Sequence, residues 1–197
     1  MKRKIREVLR HCHKERIVDE SLTPSAVIVP LFHSEGECHL LFTERSDEVN
    51  FHKGQICFPG GTWEPGDASL LDTALREVNE EIGLDAKDVE ILGELDDNLT
   101  VTSGYVISPF VALIPYPYTF RVDRREIKRA FSVPLSALMD EAIFREEYQT
   151  FDDKIMPVYF YEYEGHVIWG ATARILRQFI ELLRSEGGLF SNHSPWL

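Results

Sequence analysis

Between Leu70 and Leu84 the chain reads Leu-Leu-Asp-Thr-Ala-Leu-Arg-Glu-Val-Asn-Glu-Glu-Ile-Gly-Leu, a pattern that dictates a short amphipathic helix. Asp67 or Ser69 supplies the cap at its start, and Gly83 suits the left-handed position just past its end. At about 100° per residue, Leu71, Ala74, Leu75, Val78 and Ile82 share one face, while Glu77, Glu80 and Glu81 cluster opposite. One face must pack, so the fold has to offer an apolar layer to receive it.

The other face is costly. Carboxylates at i, i+3 and i+4 repel one another, and in the last turns of a helix the macrodipole also disfavours negative charge. Two readings stand open for such a face: an ordinary solvated charged surface, or a group of oxygen ligands for a hard cation such as magnesium, which keeps waters for a phosphate-bearing substrate to displace. Arg76 lies beside Glu80 on the helical wheel and can orient it.

The residues before the helix decide between them. Gly61-x5-Asp67, followed by Arg76-Glu77-Val-x-Glu80-Glu81-x-Gly83-Leu84, resembles the Nudix box, Gly-x5-Glu-x7-Arg-Glu-U-x-Glu-Glu-x-Gly-U with U aliphatic. The chain departs from it in two places: Asp67 replaces the first Glu, and eight residues rather than seven separate Asp67 from Arg76. The resemblance implies Glu77, Glu80 and Glu81 as ligands of Mg2+, with Mn2+ able to substitute, and an α/β/α sandwich with a central mixed sheet.

Upstream, Leu41-Phe-Thr-Glu-Arg45-Ser46 and His52-Lys-Gly-Gln-Ile-Cys-Phe-Pro-Gly60-Gly61 resemble the signature of the coenzyme A pyrophosphatase branch of that family. Phe42 replaces a Leu and Asn50 stands at the second Arg of the signature. Arg45 at a strand end can grip phosphate bidentately, or it forms a surface salt bridge; the Gly60-Gly61 backbone allows close approach of a substrate. Downstream, Ser103-Gly-Tyr-x-x-x-Pro109 and Trp169-Gly-x-Thr-Ala173 also resemble this branch. The family's further acid maps best onto Glu126, with Asp123 as the fallback; Arg124, Arg125 and Arg129 are competing structural partners for Glu126.

Composition narrows the function classes. A formal charge of −12 argues against a general nucleic-acid-coating role. Cys12, Cys38 and Cys57 lack paired or metal-type spacing, as in a reduced cytoplasmic protein. The start, Met1-Lys-Arg-Lys-Ile-Arg6, leads into no apolar run long enough for a signal peptide or membrane span, so a soluble, unexported protein without membrane contact is expected.

Elsewhere the patterns predict scaffold. Residues 2 to about 17 read as an amphipathic helix on the domain edge, carried by Ile5, Val8 and Leu9. Ala26–Phe32 and His39–Thr43 read as a hairpin turning at Ser34–Glu37, and 89–95 and 105–114 as further strands. Leu135 to about Glu147 reads as a helix, Met156–Tyr163 as a strand, and Ile175, Leu176, Phe179, Ile180 and Leu183 as the stripe of a helix capped by Thr172. The expected organisation is an N-terminal helical extension over 1–22, a hydrolase domain over 23–186 and a loosely held tail over 187–197.

The resemblance implies metal-dependent hydrolysis of the diphosphate bond of coenzyme A or acyl-coenzyme A, giving 3′,5′-ADP and (acyl-)4′-phosphopantetheine, by a cytoplasmic protein that forms a homodimer by family analogy. Two alternatives stay open: a hydrolase of ADP-ribose, a nucleotide sugar or a dinucleotide polyphosphate, and a Nudix domain that senses a nucleotide without cutting it.

Overall fold

A computed structural model describes residues 2–11, 14–49, 52–100, 103–151 and 153–185. Cys12, the departure at Asn50 and the expected tail 187–197 lie outside these residues.

Helix α1 (Lys2–His11) leads to the hairpin β1 (Thr23–Ser34) and β2 (Glu37–Arg45), followed by β3 (Ile56–Cys57) and β4 (Gly60–Thr62). The hairpin turns through Glu35 and Gly36, with φ of 53° and 83°, and its register closes on Ser34 opposite Glu37. Positive φ at both central residues matches the right-handed twist of the flanking strands. Helix α2 (Leu70–Ile82) comes next, then β5 (Glu90–Glu94), β6 (Asn98–Leu99), β7 (Tyr105–Leu113), β8 (Ile127–Pro134) and the single turn α3 (Leu135–Leu138). The described chain ends with β9 (Phe144–Phe151), β10 (Lys154–Tyr163), β11 (His166–Trp169) and α4 (Gly170–Ser185).

The main sheet runs β3-β2-β1-β7-β5, with β4 added on β1, β6 on β7 and β8 on β2. It is mixed, because β1 and β7 are parallel from Thr23↔Tyr105 to Leu31↔Leu113 while the other pairings are antiparallel. Ala26, Ile28, Val29 and Leu31 of β1 are wholly inaccessible, since this strand has apolar material on both faces. One face receives Ala74, Val78 and Ile82 of α2, and the other receives α1 and α4 through Ile5, Leu9, Leu176, Phe179 and Leu183. Helices therefore cover both faces of a central mixed sheet. The second sheet, β11-β10-β9, lies on the α4 side and buries Tyr161 and Ile168 there.

Three expectations are corrected. Helix α1 stops at His11, well before residue 17. Beyond it, Lys14 reaches Glu94 at 2.7 Å, and the backbone amides of Glu15 and Ile17 are donated to Asp96 and Asp97. The helix expected over Leu135–Glu147 is one turn, after which the chain extends as β9. Phe144-Arg-Glu-Glu-Tyr-Gln-Thr-Phe carries no strand-like apolar alternation, and antiparallel pairing with β10 from Phe144↔Tyr161 to Phe151↔Lys154 overrides its local preference. Thr172 lies inside α4, which begins at Gly170, and does not cap it. Among the described residues no helix is long and apolar enough to cross a membrane.

Candidate active site

Helix α2 is built as its sequence asks. Ser69 caps it by accepting the Asp72 amide at 3.2 Å, and Gly83 closes it at φ 69° with its amide donated to Asn79. Asp67 has a different task. It grips Arg76 through two bonds of 3.0 Å, accepts from Thr73 at 2.9 Å and takes the Glu64 amide at 3.1 Å. The Arg76 guanidinium, together with the Glu64 and Thr73 donors, holds the Asp67 carboxyl far below the usual carboxylate range. Asp67 thus fixes the arginine of the box and is itself fully engaged.

Arg76 passes that order on. Its Nη1 meets Glu77 at 2.9 Å and Glu80 at 3.1 Å, and its Nη2 donates to the Thr62 carbonyl of β4 at 3.0 Å. The three glutamates, drawn together on one face of the helical wheel, have separate environments. Glu80 is exposed, Glu77 is partly covered by β4, and Glu81 retains only 2% of its surface. Glu81 accepts the Gly60 amide at 3.1 Å. Burial, reinforced by the charges of Glu77 and Glu126, pushes the Glu81 carboxyl up to about 8, and it pushes Glu77 up as well.

The two glycines make this possible. A Cβ on Gly60 would lie 2.2 Å from the Ala26 carbonyl oxygen, and one on Gly61 would lie 2.4 Å from Cδ of Glu77. The backbone of β1 lies against Gly60, and the Glu77 carboxyl lies against Gly61.

Glu126 arrives from the other side of the molecule's sequence. The backbone amides of Arg121 and Asp123 are donated to the Ile82 and Glu81 carbonyls at the end of α2, at 2.8 and 2.9 Å. The Ser46 amide, just after Arg45, is donated to the Glu126 carbonyl at 2.8 Å. The exposed Glu126 carboxylate therefore sits close enough to raise the pKa of both Glu77 and Glu81. The three arginines that competed for it are directed elsewhere: Arg124 to the Lys128 carbonyl, Arg125 to Asp123 and Arg129 to Glu44. Asp123, the fallback acid, is tied to Arg125, whose hydrogen bonds hold it at about 2.

Arg45 faces the same group. Its charge draws the Glu81 pKa downward against burial, and its Nε is buried with no hydrogen-bond partner among the described residues. An unmet buried donor costs about 1–3 kcal/mol, and an anionic oxygen relieves it. Cys57 interacts with both Arg45 and Glu81, and burial lifts its thiol to about 11; Cys38 is lifted to about 12. Neither thiol is a nucleophile at neutral pH.

Among the described residues no three His, Cys, Asp or Glu side chains converge as a ready-made cation cage. The donors nevertheless fit a hard divalent cation in kind, being carboxylate oxygens, and in electrostatics, because burial raises the pKa of Glu77 and Glu81 and a bound cation would favour their charged forms. Arg76 supplies part of that charge to Glu77 and Glu80.

The site is thus a glutamate helix clasped against a glycine pair on a mixed sheet between helices. A family model described as the NUDIX domain matches residues 22–159. The chain is 37% identical over 161 residues to the uncharacterized Nudix hydrolase NudL of Photorhabdus laumondii, covering 80% of this chain and 83% of that protein. It is 36% identical over 178 residues to NudL of Yersinia pestis, covering 88% and 85%. Among solved structures it resembles a MutT/nudix family protein from Enterococcus faecalis, with TM-score 0.56, 13% identity and 92% and 74% coverage. The NUDIX domain of Shewanella oneidensis NrtR, complexed with ADP ribose, gives TM-score 0.50, 18% identity and 61% and 78% coverage. The chain belongs to the Nudix hydrolase family. Nudix hydrolases generally use divalent metal ions.

Proposed function

We propose that this protein hydrolyses the diphosphate bond of coenzyme A or an acyl-coenzyme A, yielding 3′,5′-ADP and (acyl-)4′-phosphopantetheine. The observation that carries the reading is the juxtaposition of Glu77, Glu81 and Glu126 with Arg45, whose Nε is unmet. Arg45 opens the segment that resembles the coenzyme A branch, so the substrate choice and the site rest on the same residues. Membership of the Nudix hydrolases sets the broader class, enzymes acting on nucleoside diphosphate derivatives.

Glu77, Glu80 and Glu81 would hold Mg2+, or Mn2+ in its place, which supplies neutralisation of charge developing on the leaving phosphate and a lowered pKa for attacking water. Arg45 fixes the diphosphate by donating to its oxygens. Glu126, exposed at the rim, or one of the helix glutamates takes the proton of the attacking water. Asp67 and Arg76 keep Glu77 and Glu80 in position. The reading places the enzyme in the cytoplasm, acting on a small-molecule diphosphate rather than on nucleic acid or a membrane, as a homodimer by family analogy. Its hydrolase core corresponds to residues 23–186, with 1–22 as an extension.

The test compares coenzyme A, ADP-ribose and a diadenosine polyphosphate, each with and without Mg2+, for the parent and Glu80→Gln. Coenzyme A cleavage should require the metal and fall by about 100-fold or more in the variant. Cleavage of another diphosphate alone overturns the substrate, and tight nucleotide binding with no turnover overturns the hydrolase.

A further inference from the structure

Behind the edge formed by β2 and β3 lies a cleft of about 780 Å³ that none of the carboxylate chemistry uses. That volume falls in the range of small-molecule sites, roughly 300–1,000 Å³. Successive strand residues point to opposite faces, and this edge shows the consequence. Arg45 and Cys57 interact with Glu81 on the α2 side, while their neighbours Glu44 and Ile56 line the cleft. The cleft is therefore one strand-thickness from the proposed reaction centre.

Its lining has two kinds of surface. Phe160 and Trp169 are cross-strand partners on β10 and β11, with nearly parallel rings 11° apart and centroids at 6.4 Å. The Arg145 guanidinium lies over Phe160 at 4.2 Å and continues the row, leaving Trp169 41% exposed. An indole left open inside a cleft is a stacking platform for a planar ring. Cations line the same cleft. Arg129 is held by Glu44 at 2.6 Å and by Nε2 of His166 at 2.8 Å. Nδ1 of His166 sits 3.2 Å from the Tyr163 carbonyl, so the Nδ1–H tautomer satisfies both contacts and leaves Nε2 to accept from Arg129. Glu44 is further neutralised by Lys128 at 2.8 Å, and Lys53 on the rim has no partner among the described residues. In a chain of net charge −12, this is a local excess of positive charge beside an aromatic face.

We propose that this cleft binds a nucleoside phosphate, its base stacked on Trp169 and its phosphate held by Arg129 and Lys53. Resting on the function proposed above, it seats the base and 3′-phosphate of the substrate, whose 5′-phosphate carries the bond that is cut. Stacking accepts any planar heterocycle, and the fixed Arg129 fork adds the demand for an anionic oxygen.

The probe is adenosine 3′,5′-bisphosphate, measured by equilibrium dialysis without divalent metal, alongside KM and kcat for coenzyme A with Mg2+. Trp169→Ala and Arg129→Gln should each weaken binding by about tenfold and raise KM more than they lower kcat. Trp169→Phe, which keeps a stacking face, should stay within about threefold of the parent. The exposure of Trp169 keeps the alanine variant foldable, which its circular dichroism checks. Failure of the parent to bind the bisphosphate, or binding and KM unaltered by Trp169→Ala, overturns the cleft assignment. Coenzyme A turnover in that case leaves the proposed function standing. Bisphosphate binding that depends on Trp169, without cleavage of any diphosphate, upholds the cleft and overturns the function.

Discussion

Replacing Glu81 by Gln should make the metal-free protein more stable at pH 8 and the enzyme at least about 100-fold slower. The two effects have one origin. The Glu81 carboxyl is 2% exposed and titrates at about 8 against an ordinary 4.5, with burial the largest cause. A carboxyl whose pKa is raised on folding binds its proton more tightly in the native state than in the unfolded chain. Stability is then full below about pH 4.5 and declines as pH climbs toward 8, because only the unfolded chain releases the proton easily. Glu77, also raised by burial, adds a loss of the same sign. The decline should amount to on the order of 3 kcal/mol between pH 5 and 8, since each unit of pKa difference is worth about 1.4 kcal/mol.

Gln has the shape of Glu, keeps an acceptor for the Gly60 amide and never ionises, so the variant's stability should be nearly flat over this window. Thermal unfolding from pH 5 to 8 in chelator, for parent and variant, measures the difference. Adding Mg2+ should restore much of the parent's lost stability at pH 8 and do little for the variant, because a ligand stabilises only the state that binds it. A parent whose melting temperature holds steady across the window would refute the placement of a strained, buried charge at Glu81.

How far the sequence leads is visible in this same helix. Its start, end and apolar face are local properties, and Ser69, Gly83, Ala74, Val78 and Ile82 stand where periodicity and capping put them. The division of labour among its glutamates is not local. A helical wheel places Glu77, Glu80 and Glu81 together, yet Gly60 and Gly61 of β4 lie over two of them and leave the third in solvent. The spacing of Asp67 likewise hides its purpose: the extra residue before Arg76 is compatible with a two-pronged grip that only the folded loop reveals. Glu126 follows a run of basic residues, and nothing local says that all three candidate arginines turn away from it. The cleft at Trp169 was still less legible, since its walls come from β2, β3, β8, β9, β10 and β11. Strand β9 escaped altogether because its charges mimic a solvated helix, and pairing alone makes it a strand.

Substituting the two adjacent glycines should separate the fold from the site. Gly60 has φ of 150°, a conformation side-chain-bearing residues rarely adopt, and a Cβ there would meet Ala26 O at 2.2 Å and Val27 Cα at 2.6 Å. Both obstacles are backbone of the central strand β1, which pairs with β4 at Val27↔Gly60 and donates the Ile28 amide to Pro59 at 2.9 Å. Neither can move without opening the sheet. Gly60→Ala should therefore cost about 3 kcal/mol or more, a loss read as a lowered urea midpoint. Gly61 has no positive φ, and the nearest atoms to its added methyl belong to the Glu77 carboxyl, the far end of a flexible side chain. Gly61→Ala should fold with a loss of about 1 kcal/mol, while the displaced Glu77 lowers turnover by about 10-fold to 100-fold. Equal destabilisation by the two would contradict this division, because it would mean that the Glu77 carboxyl is as immovable as the strand beneath Gly60.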